Sequence, residues 1–233
     1  MNKSRRMAAV QARALSAAGF AVLQIDLHGC GDSAGDFGDA SWEVWVEDVV
    51  AAVEWLRART GIAPSLWALR AGCLLAGKAA ELLDYTPNLL FWQPVVSGAQ
   101  HLQQFLRLRV ARQLGADEAE ARIGTRELRA ELAGGATVEV AGYALAPGLA
   151  CGIEAAELAP LRSATRVAWI EIVGTSPAEL TPAGRLRVEA WRAAGHEVDA
   201  SAVPGLPFWQ TQEITECVGL VEATTVAARR WHP

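Results

Sequence analysis

Residues 66–76 read LWALRAGCLLA, that is Leu66-Trp-Ala68-Leu69-Arg70-Ala71-Gly72-Cys73-Leu-Leu-Ala76. A short apolar run of strand length passes with no linker into a small-residue helical stretch, 71–83. Only a sharp turn at Arg70 can join the two. Ala68 and Gly72, two residues before and two after Arg70, are the small neighbours that such a turn needs. Outward from this point, apolar runs of strand length recur at residues 20–27 (FAVLQIDL), 89–93, 166–173 (RVAWIEIV) and 197–203. Helical spacing of apolar residues separates them, at 4–18, 42–59, 99–113, 182–194 and 214–229. Strands that alternate with helices predict an α/β fold: a mostly parallel sheet with helices on both faces.

The middle of the chain breaks the alternation. Residues 117–132 are charged and helical in pattern, and Gly134 and Gly135 end them. Residues 137–144 (TVEVAGYA) alternate like a strand or hairpin arm, and 147–160 are rich in small residues. The expected division is a core of residues 1–109 and 163–233 with an inserted cap at 110–162.

Composition excludes several classes of function. At 233 residues the chain can bury a large core, and 52% hydrophobic with 20% charged residues is a globular composition. A net charge of −5 argues against a nucleic-acid partner. Lys3 and Lys78 are the sole lysines among 21 basic residues, so Schiff-base chemistry would rest on Lys78. Cys30, Cys73, Cys151 and Cys217 form no C-x-x-C pair, and the four histidines are scattered, so no metal site is expected. Wide cysteine spacing fits reduced thiols and a cytoplasmic location. The uncharged stretch 85–106 carries Pro87, Asn88, Gln93, Pro94 and Gln100, so no membrane span is expected. Arg13 interrupts the apolar region behind the basic start, which argues against a signal peptide.

Two stretches carry candidate chemistry. In Asp26-Leu-His28-Gly29-Cys30-Gly31-Asp32-Ser33 a strand-like run ends in a glycine turn, where ligand sites lie at the carboxyl edge of an open sheet. The third glycine is misplaced for a dinucleotide fingerprint, so no cofactor is expected. Asp26 is expected to accept backbone N–H bonds from its loop, and Ser33 to steady the turn. His28 and Cys30 form a weak base–nucleophile candidate, since two residues apart in a glycine turn they need not face each other. Asp32, Asp36 and Asp39 read as a solvated loop ahead of a cation site. The second stretch is the elbow at 66–76. Its nucleophile position holds Arg70, which is always protonated and cannot attack. Cys73 begins the elbow helix, where the dipole lowers a thiol pKa, but a small buried residue is favoured there. For Arg70 with the Ala71 N–H two roles stand open: an anion site at the helix start, or a structural ion pair with an acid.

The stretches NKSRRMAAVQARALSAAGFAVLQIDLHGCGDSAGDFGDASW, LRAGCLLA, WQPVVSGAQHLQQFLR and GLPFWQTQEI resemble the exosortase A system-associated hydrolases of the second type. D-x-x-G-x-G-x-S is likewise a pattern of α/β-hydrolases. The resemblance implies an α/β-hydrolase fold and a hydrolase that serves a bacterial exopolysaccharide and protein-sorting system. It implies an ester- or glycan-linked or lipid-linked small-molecule substrate, with proteins of that system as partners. The catalytic set departs from the superfamily. The turn after the last strand, Val203-Pro-Gly205-Leu-Pro207-Phe208-Trp209, has no histidine. The preceding loop offers only Glu179 as acid, and no oxyanion loop precedes the first helix. Triad members act as a unit, so these losses argue for the alternative of a catalytically degenerate binding or scaffold module. In the superfamily a further strand lies between the runs at 20–27 and 66–69. Its absence here suggests a start site placed too late or a truncated gene, and forces those runs to pair directly or leave backbone groups unpaired.

Overall fold

The computed structural model describes residues 2–113, 124–211 and 213–231. Helix α1 (Asn2–Ala17) leads through an irregular segment to a short 3-10 turn (Phe37–Asp39) and α2 (Trp42–Thr60). Then come β1 (Leu66–Leu69), α3 (Gly72–Ala80), β2 (Leu89–Trp92) and α4 (Gly98–Gln113). The middle holds α5 (Thr125–Ala133), the hairpin β3 (Val138–Val140) and β4 (Tyr143–Leu145), and α6 (Pro147–Ala155). β5 (Arg166–Val173), α7 (Pro182–Ala193), β6 (Glu197–Pro204) and α8 (Val218–Trp231) complete the chain. Local chemistry sets the helix ends. Ser41 caps α2 by accepting the Val44 N–H at 3.2 Å, and Gly61 closes it in the left-handed conformation. Thr181 caps α7 through the Gly184 N–H at 3.0 Å, with Pro182 in the first turn.

The main sheet has four parallel strands in the order β1-β2-β5-β6. Both its faces are covered, which is why β1, β2 and most of β5 read as continuous apolar runs. Leu89, Phe91, Val167 and Trp169 point to the face packed by α2, α3 and α7. Leu90, Trp92, Ala168, Ile170 and Ile172 point to the face packed by α1 and α8. Trp169, Trp191 and Phe91 are almost wholly buried and meet edge to face. A third cluster joins Leu102 and Leu106 of α4 to Leu128, Val138, Leu145 and Leu149.

Two sequence expectations change. Residues 147–160 contain a regular helix, α6, which small residues had disguised. Residues 20–27 are not a strand: they join no ladder and do not pair with β1, which is left as the outer strand of the sheet. The apolar pattern of that run is real, but a strand exists only against a neighbour that takes its N–H and C=O groups. Of the expected helix at 117–132, residues 117–123 lie outside the described residues.

Candidate functional site

β1 delivers Arg70 to the carboxyl edge of the sheet. The Arg70 N–H donates to the Trp92 carbonyl at 2.9 Å, and its own carbonyl accepts from Cys73 at 3.1 Å and Val95 at 3.2 Å. These bonds hold the turn so tightly that φ of Arg70 is +55°. A side-chain-bearing residue is strained there by about 1–2 kcal/mol. Gln93, at the end of β2 beside the elbow, is held at φ +41° and its Oε1 accepts the Ile172 N–H at 2.6 Å.

The Arg70 guanidinium is half-buried and lies 5.3 Å from the centre of the Trp209 ring. Burial holds its pKa below the usual arginine value, and no carboxylate acts on it. The ion pair with an acid, one of the two expected roles, is therefore not formed among the described residues. At the start of α3 the N–H groups of Ala71 and Gly72 likewise find no acceptor among those residues. The His101 ring, in the first turns of α4, adds a third unmet group: its Nδ1 is buried without a partner. Burial first, and the Arg70 charge second, hold His101 below the ordinary histidine pKa, which leaves a neutral imidazole at pH 7.

Among the described residues, none of the nucleophile, base or acid candidates read from the sequence at this edge joins this set. Cys73 is fully buried, its Sγ pointing back to the Ala68 carbonyl at 3.5 Å, and burial pushes the thiol pKa far up. Phe208, in the turn where a hydrolase histidine is expected, is wholly buried against Trp92 and Trp209. Glu179 is exposed and pairs with Arg185 at 3.6 Å. The buried acid of that region is Glu171, whose carboxylate accepts from Trp169 Nε1 at 3.2 Å and the Thr181 N–H at 2.7 Å and so fixes the start of α7.

The glycine loop is braced from both sides, by Arg5 of α1 and by α2, whose Asp48 accepts the His28 N–H at 2.7 Å and whose Trp45 Nε1 donates to the His28 carbonyl at 2.9 Å. Asp26 pairs with Arg5 and accepts the Asp32 N–H at 3.1 Å, while Ser33 Oγ donates to the Asp26 carbonyl at 2.5 Å. Gly31 sits at φ +59°, and a Cβ there would collide with the Arg5 and Asp26 side chains. Gly29, at φ +72°, approaches the Asp36 backbone too closely for any side chain. His28 and Cys30 are not brought together: the His28 ring lies over Gly35. Burial, then the Asp26 charge, raise the Cys30 pKa. Asp36 and Asp39 meet through the Asp36 N–H, bound by Asp39 Oδ2 at 3.1 Å. No group of three potential metal ligands occurs among the described residues.

The elbow thus brings together a half-buried cation, two backbone donors at a helix start with no acceptor among the described residues, and a neutral imidazole, groups whose chemistry suits contact with an anion. Arg70 and Ala71 were legible in the sequence. Trp209 and His101 were not, because they come from segments far from Arg70 and from each other in sequence whose meeting depends on sheet order. A usable signal was positional: both follow a strand end at the same sheet edge as Arg70.

Comparison with known proteins fits this architecture. No family model matches the chain. Over 73 residues, 31% of this chain, it is 38% identical to Protein ABHD12B of Homo sapiens; the match spans 19% of that protein's length. Among solved structures it is similar to a complex of DcsB with its substrate analogue, at TM-score 0.54 and 15% identity, over 94% of this chain and 84% of that one. It is also similar to Rv0554 from Mycobacterium tuberculosis, at TM-score 0.53 and 16% identity, over 94% and 81% of the two chains. The chain has the α/β-hydrolase fold. Among the described residues no helix is long and apolar enough to cross a membrane.

Proposed function

We propose that this hydrolase-fold protein binds a small molecule through a carboxylate or phosphate at Arg70, and that the elbow serves recognition in place of nucleophilic attack. The observation that supports this reading is a half-buried guanidinium with no anionic partner among the described residues, set beside N–H groups of Ala71 and Gly72 that find no acceptor there either. A half-buried charge without a partner is costly, and an incoming anion offsets that cost. The sequence resemblance supports a link to an exosortase-associated exopolysaccharide system and a cytoplasmic setting, for which anionic glycan- or lipid-linked intermediates are the fitting ligands. Calorimetric titration of inorganic phosphate and of a phosphate-bearing glycolipid into wild type and Arg70→Ala tests the reading. Binding is expected in wild type alone, and equal affinity in both refutes it.

A second reading, a hydrolase with an unusual catalytic set, draws on the same resemblance. It requires turnover of an activated ester that Arg70→Ala abolishes. Rapid labelling of a serine by a fluorophosphonate would favour it over the binding role.

A further inference from the structure

Gln93 ends β2 at the carboxyl edge, one strand inward from the elbow. The strand order β1-β2-β5-β6 puts it inside the sheet, between the ends of β1 and β5. The register that pairs Leu69 with Trp92 brings Arg70 and Gln93 side by side, about one strand spacing apart, ~4.8 Å. The main chain ties the two ends together: the Arg70 N–H donates to the Trp92 carbonyl at 2.9 Å and the Val95 N–H to the Arg70 carbonyl at 3.2 Å. Both residues hold positive φ, +55° and +41°, where side-chain-bearing residues are rarely found. Such strain persists only where the surrounding structure fixes it, and two neighbouring strand ends carry it here.

The conformation of Gln93 changes the ladder. Its N–H still donates to the Ile170 carbonyl at 2.8 Å, as in a parallel pair. The next bond, from the Ile172 N–H, goes to the side-chain Oε1 at 2.6 Å. A backbone N–H can bind only the oxygen of the amide, so the group cannot flip and its NH2 has a fixed place. Nε2 donates to nothing among the described residues and is not shut inside the core. Two neutral donors thus stand beside a guanidinium on which no carboxylate acts. The ladder accounts for Oε1 and leaves the NH2 half of the amide without a task. Glutamate would offer Ile172 the same acceptor, but its charge would pair with Arg70 and close the elbow to any other anion.

We propose that Gln93 is a specificity-determining residue, whose Nε2 donates to an uncharged oxygen on the carbon that carries the anionic group held by Arg70. The inference rests on the anion reading of Arg70 and narrows it. The flat fork of a guanidinium takes two oxygens of a phosphate or carboxylate. A neutral donor one strand spacing away then meets an oxygen one or two bonds further along the ligand. The class so selected is a glycosyl phosphate or a uronic acid, in which a ring oxygen sits on that carbon. A fatty acid or an alkyl phosphate presents only C–H there and leaves the amide without a partner, which lowers its affinity.

Calorimetric titration of glucose 1-phosphate and of cyclohexyl phosphate, alike in ring size and charge, tests this. Wild type is expected to bind the sugar phosphate about fivefold more tightly, the worth of one hydrogen bond. Gln93→Met keeps the length and loses the donors, and should bring that ratio to about one. A merely structural role would weaken both ligands alike and leave the ratio unchanged, which would overturn the inference. Because Gln93→Met also removes the acceptor for Ile172, the side-chain NH2 of Gln93 is followed in wild type by heteronuclear NMR. Its signals should move with glucose 1-phosphate and stay in place with cyclohexyl phosphate. Equal affinity of wild type for the two ligands, or an equal NH2 response to both, would overturn the role of Gln93 and leave the Arg70 reading intact. Binding of neither would overturn the Arg70 reading and this inference with it.

Discussion

Replacement of Arg70 by glycine should make the protein more stable while it removes anion binding. Three effects set the magnitude. Glycine adopts φ +55° freely, which relieves about 1–2 kcal/mol of left-handed strain. Its extra unfolded-state entropy takes back about 0.5–1 kcal/mol. Loss of the guanidinium removes a stacking contact with Trp209 of about 0.5–1 kcal/mol. It also removes an unpartnered polar group whose desolvation costs about 1–3 kcal/mol. The sum favours Arg70→Gly by about 2 kcal/mol, or a Tm rise of about 4–8 °C for a chain of this size. Arg70→Ala removes the same charge but keeps the strain, so it should fall about 1 kcal/mol below the glycine variant. Urea unfolding of the three proteins measures these differences. Added phosphate should then stabilise wild type and neither variant, by mass action on the folded state. If both variants instead lose more than about 1 kcal/mol, Arg70 is held by a structural partner, and the receptor reading is wrong.

Other outcomes follow from the same geometry. Gly31→Ala meets both a positive φ and the Arg5–Asp26 pair, so it should cost about 2 kcal/mol or more; an unchanged urea midpoint would refute the packing described. Cys151 is exposed and Cys73 buried, so a disulfide reagent should label Cys151 in the folded protein and Cys73 only after unfolding, as peptide mapping would reveal. Arg5 first, then the Asp32 N–H, hold the Asp26 pKa below its ordinary value of 3.8. The unfolded chain therefore takes up this proton first as pH falls, so the Asp26 contribution is complete above the ordinary value and is lost as pH drops through the lowered one. Asp26→Asn should flatten that acid limb of stability, and an unaltered profile would exclude the pair from the linkage.

The parts of the fold legible in the sequence were those fixed by local pattern. Helices α1, α2, α4 and α7 follow from apolar spacing and from caps such as Ser41 and Thr181. The runs that became β1 and β2 are apolar at every position, and that of β5 nearly so, because both sheet faces are covered, while β6 at the sheet edge admits Glu197, Asp199 and Ser201. What local pattern could not decide was partnership. FAVLQIDL has the composition of a strand, but whether it becomes one depends on a neighbour distant in sequence. The unpaired state of Arg70 is a fact about absence of a carboxylate in three dimensions, and no spacing rule encodes that. His101 and Trp209 escaped for the same reason.

The elbow itself argues for a retained role. Its backbone keeps a strained left-handed residue between β1 and α3, although the residue there cannot attack a substrate. Glycine would fit the same turn without strain, and a carboxylate nearby would have paired the charge. Neither occurs among the described residues. Strain and an unmatched charge at one position, at the sheet edge where two backbone donors also stand free, are costs that accumulate where a ligand repays them. Degeneration alone relaxes toward residues that fit, and Phe208 shows that relaxation: in the turn expected to hold a histidine, an apolar ring fills the core completely. Arg70 keeps its strain and its charge where Phe208 has settled into the core, as the proposed binding role at Arg70 requires.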